Sequence, residues 1–322
     1  MDRANIDVVC AGLCVVNFPI FPVDESIFTR DVNPVSPITL LPGGDAANQA
    51  VVLSKMGFKT AILSRRGDDD FGKVMLQLLN RYGSHIELEG IVVDSEMATS
   101  VSAMMIRPNG QRCFCVHKGA IYNFCIGDID LSILSKAKVA SIGGVYGLPS
   151  FDGPGAAAFF RAARESGLIT VADTKTDMYR IGLAGIREML EQTDYFFPSY
   201  DEAAAISGEE SPEKIAGIFL DAGARHVGIK LGSRGIYARD EKTEFYLPAL
   251  PAEVVDTTGA GDNFMSGLIA GLIRGWDYRT CCLFGSAAAA LCVTTVGPMT
   301  AVESFDQVKQ FLESCREKDP AL

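Results

Sequence analysis

The stretch VVDTTGAGDNF, residues 254–264, sets two aspartates around a Thr-Thr-Gly-Ala-Gly core and runs into an apolar segment of helical period. Phe264, Leu268, Ile269 and Leu272 share one face, and Gly275 supplies a stop. Glycine is a poor helix former, so its use in a first turn calls for a reason. One reason is a tight, capped turn. The other is an anion cradle, in which the amides of Gly259, Ala260 and Gly261 present the positive end of the helix dipole to a phosphate. Asp262 falls in the same turn, where its carboxylate is expected to stay ionised and available as a base. A carboxylate beside an anion hole is the minimum equipment for moving a phosphoryl group to a hydroxyl. The chain carries no G-x-x-x-x-G-K-[ST], so this is not a P-loop.

A second glycine turn, LPGGDAANQA, opens another helix pattern. Its paired glycines allow close backbone approach to a ligand, and Asn48 offers a polyol both a donor and an acceptor. Taken alone, it is only a glycine turn with a helix cap.

The elements that must hold these turns alternate. Strand patterns lie at Ile6 to Leu13, Thr60 to Ser64, Val139 to Ile142, Ile169 to Asp173, Tyr195 to Phe197 and Val227 to Leu231. Amphipathic helices between them predict βαβ crossovers and a mostly parallel sheet covered on both faces, an α/β fold. The last third reads as helical, with the run from Leu283 to Val296 as a buried helix and strand. Gly267, Gly271 and Gly275 form a small-residue spacing that suits close helix packing. Thr99 to Ile106 and Arg112 to Lys118 break the alternation, as two strands around Pro108-Asn109-Gly110. With residues 17–40 they form a small β-flap, which cannot bury both faces alone and should cover a cleft or meet another subunit.

Composition bounds the partners. The chain has 322 residues, 48% hydrophobic and 21% charged, with net charge -11, so a basic face for nucleic acid or anionic membrane is not expected. Nine cysteines occur with no Cys-x-x-Cys pair and only three histidines, which reads as reduced thiols in a cytoplasmic protein. The start, MDRANIDVV, enters a strand pattern without a signal-peptide core. Asp68, Asp69 and Asp70 precede a helix and read as caps rather than a metal cluster.

Together, the turns Gly43-Gly44-Asp45-Ala46-Ala47-Asn48 and Asp256-Thr257-Thr258-Gly259-Ala260-Gly261-Asp262 resemble the paired motifs of the ribokinase-like, or PfkB, carbohydrate and nucleoside kinases. The resemblance extends through Gly67 to Gly72 and Leu231-Gly232-Ser233-Arg234-Gly235, over nearly the whole chain. It implies one three-layer α/β/α kinase domain over 1–322, with lid segments near 14–41 and 98–119, acting with ATP, Mg2+ and K+.

By that resemblance Asp262 takes the hydroxyl proton, while Gly259, Ala260 and Gly261 hold the transferring phosphate. Asn17, Gly43, Gly44 and Asn48 bind the acceptor, and Gly232, Ser233 and Gly235 line the nucleotide. Glu202 organises magnesium through water, and Asp256 with the backbone of Thr258 forms a monovalent-cation loop at which potassium should raise activity. Ser199 stands where the family often has Asn, so it either meets phosphate or caps its helix. Lys230 either reaches the phosphates or is a solvated strand-end charge, the second being the reading preferred from sequence. Asn17 stands where many members have Asp, and its amide would suit an acceptor carrying a carbonyl. Asp45 replaces a frequent Lys and should repel a phosphorylated sugar. The flap cations Arg107, Arg112 and Lys118 read as ordinary exposed charges.

The expected activity is transfer of the ATP γ-phosphate to a sugar hydroxyl, by a homodimer joined at the flaps. A nucleoside kinase of the same family and a catalytically inactive sugar-binding member are the alternatives. Phe18, Phe21 and Phe28 could supply the aromatic platform that a nucleoside needs.

Overall fold

The computed structural model describes residues 6–108, 111–319 and 322. It opens with β1 (Val8–Gly12), buried along its whole length, as a strand covered on both faces must be. Then follow β2 (Val15–Ile20), β3 (Leu41–Gly43), α1 (Asp45–Lys55), β4 (Thr60–Gly67), α2 (Asp70–Tyr82), β5 (Ile86–Glu87), β6 (Ile91–Asp94), β7 (Val101–Ile106) and β8 (Arg112–His117). The centre of the chain holds β9 (Val139–Val145), α3 (Pro154–Glu165), β10 (Ile169–Thr174), α4 (Gly182–Leu190), β11 (Tyr195–Phe196), α5 (Tyr200–Ser207) and α6 (Pro212–Asp221). The remainder is β12 (His226–Lys230), β13 (Ile236–Asp240), β14 (Glu244–Leu247), α7 (Ala260–Ile273), α8 (Tyr278–Cys292) and α9 (Phe305–Lys318).

The large sheet runs β14-β13-β12-β11-β10-β9-β1-β4-β5, with β6 also pairing β4. It is parallel from β5 to β12, and β13 and β14 extend it antiparallel. Helices bury one apolar core on each face, giving the three layers that the alternation predicts. The β13–β14 extension was not foreseen, because its short strands follow a turn rather than a crossover. Residues 293–296 form turns rather than the expected strand, since α8 continues to Cys292. Two glycines of the small-residue spacing pack closely, since a Cβ on Gly267 would lie 2.8 Å from the Gly285 Cα on α8 and one on Gly271 2.9 Å from Cys281 Sγ, whereas a Cβ on Gly275 would meet nothing within 4 Å. No helix among the described residues is long and apolar enough to cross a membrane.

A second sheet, β3-β2-β7-β8, stands apart from the first. Its β7 and β8 pair antiparallel as the flap reading expects, although the proposed Asn109-Gly110 turn lies outside the described residues. Strand β8 is an edge exposed along most of its length. Asp69 caps α2 by accepting from Gly72 N at 2.8 Å, and it also accepts from Thr99 N at 2.8 Å, fixing the approach to β7. Of Asp68 to Asp70, Asp69 is the N-cap residue of α2.

Candidate active site

The two glycine turns lie far apart in sequence and meet in space. Helix α1 starts at the carboxyl ends of β1 and β9, where a Cβ on Gly143 would lie 2.9 Å from Ala46 N. Helix α7 starts at the carboxyl ends of β10 and β12, where open α/β sheets bind their ligands. Between the helices, Asn48 Nδ2 donates to Asp262 Oδ2 at 2.6 Å, with both side chains buried. Asn48 Oδ1 is buried with no protein partner, an acceptor left for a ligand or water.

The α7 turn is held from several sides. Gly259 adopts φ 76°, and a Cβ there would lie 2.2 Å from Pro298 Cβ, so only glycine fits. Asn263 Nδ2 donates to Gly259 O at 2.8 Å and to Pro298 O at 2.7 Å, a role the sequence reading missed. Of the three amides expected to face a phosphate, that of Ala260 is engaged with Thr257 O at 3.3 Å. Gly261 lies against a charge: a Cβ there would be 3.2 Å from Lys230 Nζ.

Lys230 is therefore not the solvated strand-end charge that was preferred. Its Nζ donates to both carboxylate oxygens of Asp173 at 2.6 Å, and its side chain is only 15% exposed. The end of β10 supplies three consecutive polar groups that the sequence reading passed over. Asp173 meets Lys230, Thr174 Oγ1 donates to Glu202 Oε2 at 2.9 Å, and Lys175 Nζ donates to Asp45 Oδ2 at 3.1 Å. The available signal was an Asp-Thr-Lys run at a strand's carboxyl end, where polar residues are unexpected in a core strand. Gly144 and Gly147 leave room for the Asp45–Lys175 pair; a Cβ on Gly144 would lie 2.7 Å from Asp45 Oδ2.

Ser199 is the N-cap residue of α5, and Glu202 Oε2 returns to its amide at 3.2 Å. Ser199 also bridges to Lys230 alongside β12, which brings the cap to the same strand ends. Gly232 and Ser233 are exposed in a turn at the mouth, and Gly235 has φ 93°, its missing Cβ 2.0 Å from Leu247 O. Asn17 lies directly over Gly43, since a Cβ on Gly43 would fall 1.9 Å from Asn17 Nδ2. Gly44 adopts φ 95°, and a Cβ there would lie 2.3 Å from Leu13 O.

Four acids face two lysines here, and the imbalance shows in the titration. Burial above all, then the Asp45 and Asp173 carboxylates, push the Asp262 carboxyl well above its usual range, against the Asn48 hydrogen bond and Lys175. The expectation of a readily ionised Asp262 is corrected accordingly: it holds its proton tightly and is the stronger base once it loses it. Burial likewise raises Asp173 to about 6, although Lys230 opposes the shift. The Asp45 carboxylate, in turn, keeps Lys175 charged.

Asp256 and Thr258 meet a protein cation. Arg112 Nη1, from β8, donates to Asp256 Oδ1 and to Thr258 Oγ1, so Arg112 is not the ordinary exposed charge expected. Lys118 is not one either, because its ammonium lies 4.5 Å from the centre of the Tyr122 ring.

An α/β sheet that gathers a helix-start anion hole, a lysine and a basic carboxylate at its strand ends defines a phosphotransferase site. A family model described as pfkB family carbohydrate kinase matches residues 5–304, and the chain belongs to that family. Fructokinase-2 of Oryza sativa subsp. japonica is 25% identical over 287 residues, covering 84% of each chain. The structure of Arabidopsis thaliana ribokinase complexed with ribose and ATP superposes with TM-score 0.79 at 23% identity, over 96% of this chain and 99% of that one. An E. coli chain described as a ribokinase II, in complex with ATP and Mg2+, gives TM-score 0.81 at 23% identity over the same shares. At that identity the two structures speak to the fold.

Proposed function

We propose that this carbohydrate kinase transfers the γ-phosphate of ATP to a hydroxyl of a small neutral sugar, with Asp262 as general base. The observation that carries the reading is the Asn48–Asp262 hydrogen bond, which joins the acceptor turn to the phosphate turn. In this reading the orphaned Asn48 Oδ1 accepts from one sugar hydroxyl, and the Asn17, Gly43 and Gly44 wall positions the ring. Asp262 accepts the proton of the attacking hydroxyl. The amides of the Gly259–Gly261 turn, with Lys230 beside them, stabilise the charge that builds on the transferring phosphoryl group. Gly232, Ser233 and Gly235 lie at the mouth as the nucleotide wall.

Glu202 suits a magnesium ion held indirectly: Thr174 and Ser199 both bond its Oε2, leaving Oε1 for a water of the ion's shell. Magnesium would offset the charge of the polyphosphate. No step needs potassium, because Arg112 already brings a positive charge to the Asp256 carboxylate and the Thr258 hydroxyl. The matched relative is a sugar kinase, which favours a sugar over a nucleoside acceptor. All nine cysteines are free, in keeping with a reducing compartment such as the cytoplasm.

Lys175 changes the argument about the acceptor's charge. Asp45 does not stand alone to repel an anion, since Lys175 balances it and the pair offers one donor and one acceptor to a neutral polyol. A screen of neutral sugars, sugar acids and sugar phosphates, read by ADP release, should show kcat/KM highest for a neutral sugar. Asp45→Asn frees the ammonium and should raise the relative kcat/KM for an anionic sugar about tenfold, roughly one unscreened charge interaction. A wild type faster on a sugar phosphate than on every neutral sugar overturns the reading.

The second sheet is proposed as the acceptor lid, and its exposed edge as a dimer surface. Phe114 and Val116 are 48% and 50% exposed on β8, an arrangement that lone proteins avoid at a sheet edge. Sedimentation should give a dimer, and Phe114→Lys a monomer. A wild type that remains monomeric at high micromolar concentration rules this out.

A further inference from the structure

Arg112 connects two parts of the molecule that share no sheet. It begins β8 of the small sheet, while Asp256, Thr257 and Thr258 lead into the α7 turn. Besides its Nη1 contacts to Asp256 Oδ1 and Thr258 Oγ1, its Nη2 donates to Thr257 Oγ1 at 3.3 Å. Both charged side chains are largely covered, at 26% and 12% exposure.

Neither oxygen of Asp256 is left over. Oδ1 also accepts from Thr258 N at 2.9 Å and Thr258 Oγ1 at 2.6 Å, while Oδ2 accepts from Gly297 N at 3.0 Å. Burial opposes ionisation, but these donors and Arg112 outweigh it and hold the Asp256 carboxyl below its usual range. A free monovalent cation at this carboxylate would compete with Arg112 for Asp256 Oδ1 and would sit against a like charge within contact distance. The donor set therefore does not fit potassium while Arg112 is in place. The neighbouring flap cation Arg107 makes no such contact; it pairs with Glu25 at 2.7 Å.

The position gives this contact mechanical consequence. Thr258 is followed directly by Gly259, whose left-handed turn is pinned under Pro298. The sheet that carries Arg112 also carries Asn17 and Gly43 on β2 and β3.

We propose that Arg112 is the resident cation of the 256–258 loop: a positioning residue that orders the Gly259–Asp262 turn when the small sheet covers the acceptor. Transfer thereby becomes independent of free monovalent cations. The proposal rests on the kinase reading above, and it deepens it by tying acceptor coverage to assembly of the anion hole.

The test compares wild type, Arg112→Lys and Arg112→Met in potassium, sodium and tetramethylammonium chloride, at saturating ATP and sugar. Wild-type kcat should vary less than about twofold across the salts. Arg112→Met should lose about 10–100-fold in kcat in tetramethylammonium, with little change in nucleotide KM, and regain much of it in potassium, as befits loss of positioning. Arg112→Lys should fall between them with little salt preference. Hydrogen exchange of residues 254–262, measured without substrates, should be faster in Arg112→Met and slowed again by potassium. Strong potassium activation of the wild type, a fully active Arg112→Met, or a loss that no cation restores overturns the proposal. Should no sugar be turned over, the kinase reading fails; unchanged exchange in Arg112→Met would separately remove Arg112 from the loop.

Discussion

Asp262→Asn should leave a folded protein that binds nucleotide yet turns over about 10²–10⁴-fold more slowly, the usual worth of a general base. The amide keeps the size of the carboxyl and can still meet Asn48, whose Nδ2 lies 2.6 Å from Asp262 Oδ2. The glycine turn, Lys230 and Glu202 are untouched, so calorimetric ATP affinity should change little while kcat collapses. A pH profile adds an independent mark. In the proposed mechanism activity requires ionised Asp262, and burial with the Asp45 and Asp173 charges raises its pKa well above that of a surface aspartate. Wild-type kcat/KM in the free enzyme should therefore fall off on the acid side at a pH well above 4, and the residual activity of the variant should lack that limb. A variant with near-normal kcat would reduce the 256–262 motif to a capped turn.

Lys230→Met should damage both stability and rate, and the two losses can be separated. Removing one partner of a buried ion pair leaves an uncompensated charge, at a cost of about 3–5 kcal/mol. Asp173 can relieve part of this by taking up a proton, since burial already raises it from 3.8 to about 6. Its folded pKa is above the unfolded value, so the associated stability is fully present below about 4 and is lost as pH rises through about 6. Thermal midpoints of the variant should accordingly drop more at pH 8 than at pH 5. Asp173→Asn/Lys230→Met removes both charges and should recover most of the stability. Activity should not return: Lys230 Nζ is the cation against Gly261, and a lost donor to a developing charge costs about 10²–10³ in kcat. A double variant that regains wild-type kcat would make the pair purely structural.

The local signals in the chain were strong where geometry is local. Strand and helix alternation followed from periodicities of two and 3.6, so α/β layering was readable without contacts. Glycine placement was equally plain, because the positive φ at Gly44 and Gly259 disfavours any side chain on backbone grounds. Asp262 could be placed in the first turn of a helix from its own neighbours. Membership of a kinase family was legible for the same reason, being written in two short turns.

Charge pairing was decided only by the tertiary structure, because long side chains reach partners that sequence distance hides. Lys230 lies 57 residues from Asp173, Lys175 130 from Asp45, and Arg112 144 from Asp256. Lys230 and Arg112 looked like surface charges, the commonest fate of their type, and Lys175 was passed over. Whether such a group is solvated or paired depends on what the fold brings alongside it. The same holds for Asp262, whose base strength depends on burial and on Asp45 and Asp173, contributed by other elements. Sequence determined which groups could do the chemistry; folding determined their protonation and their company, because electrostatic energy depends on distance and dielectric rather than on position in the chain.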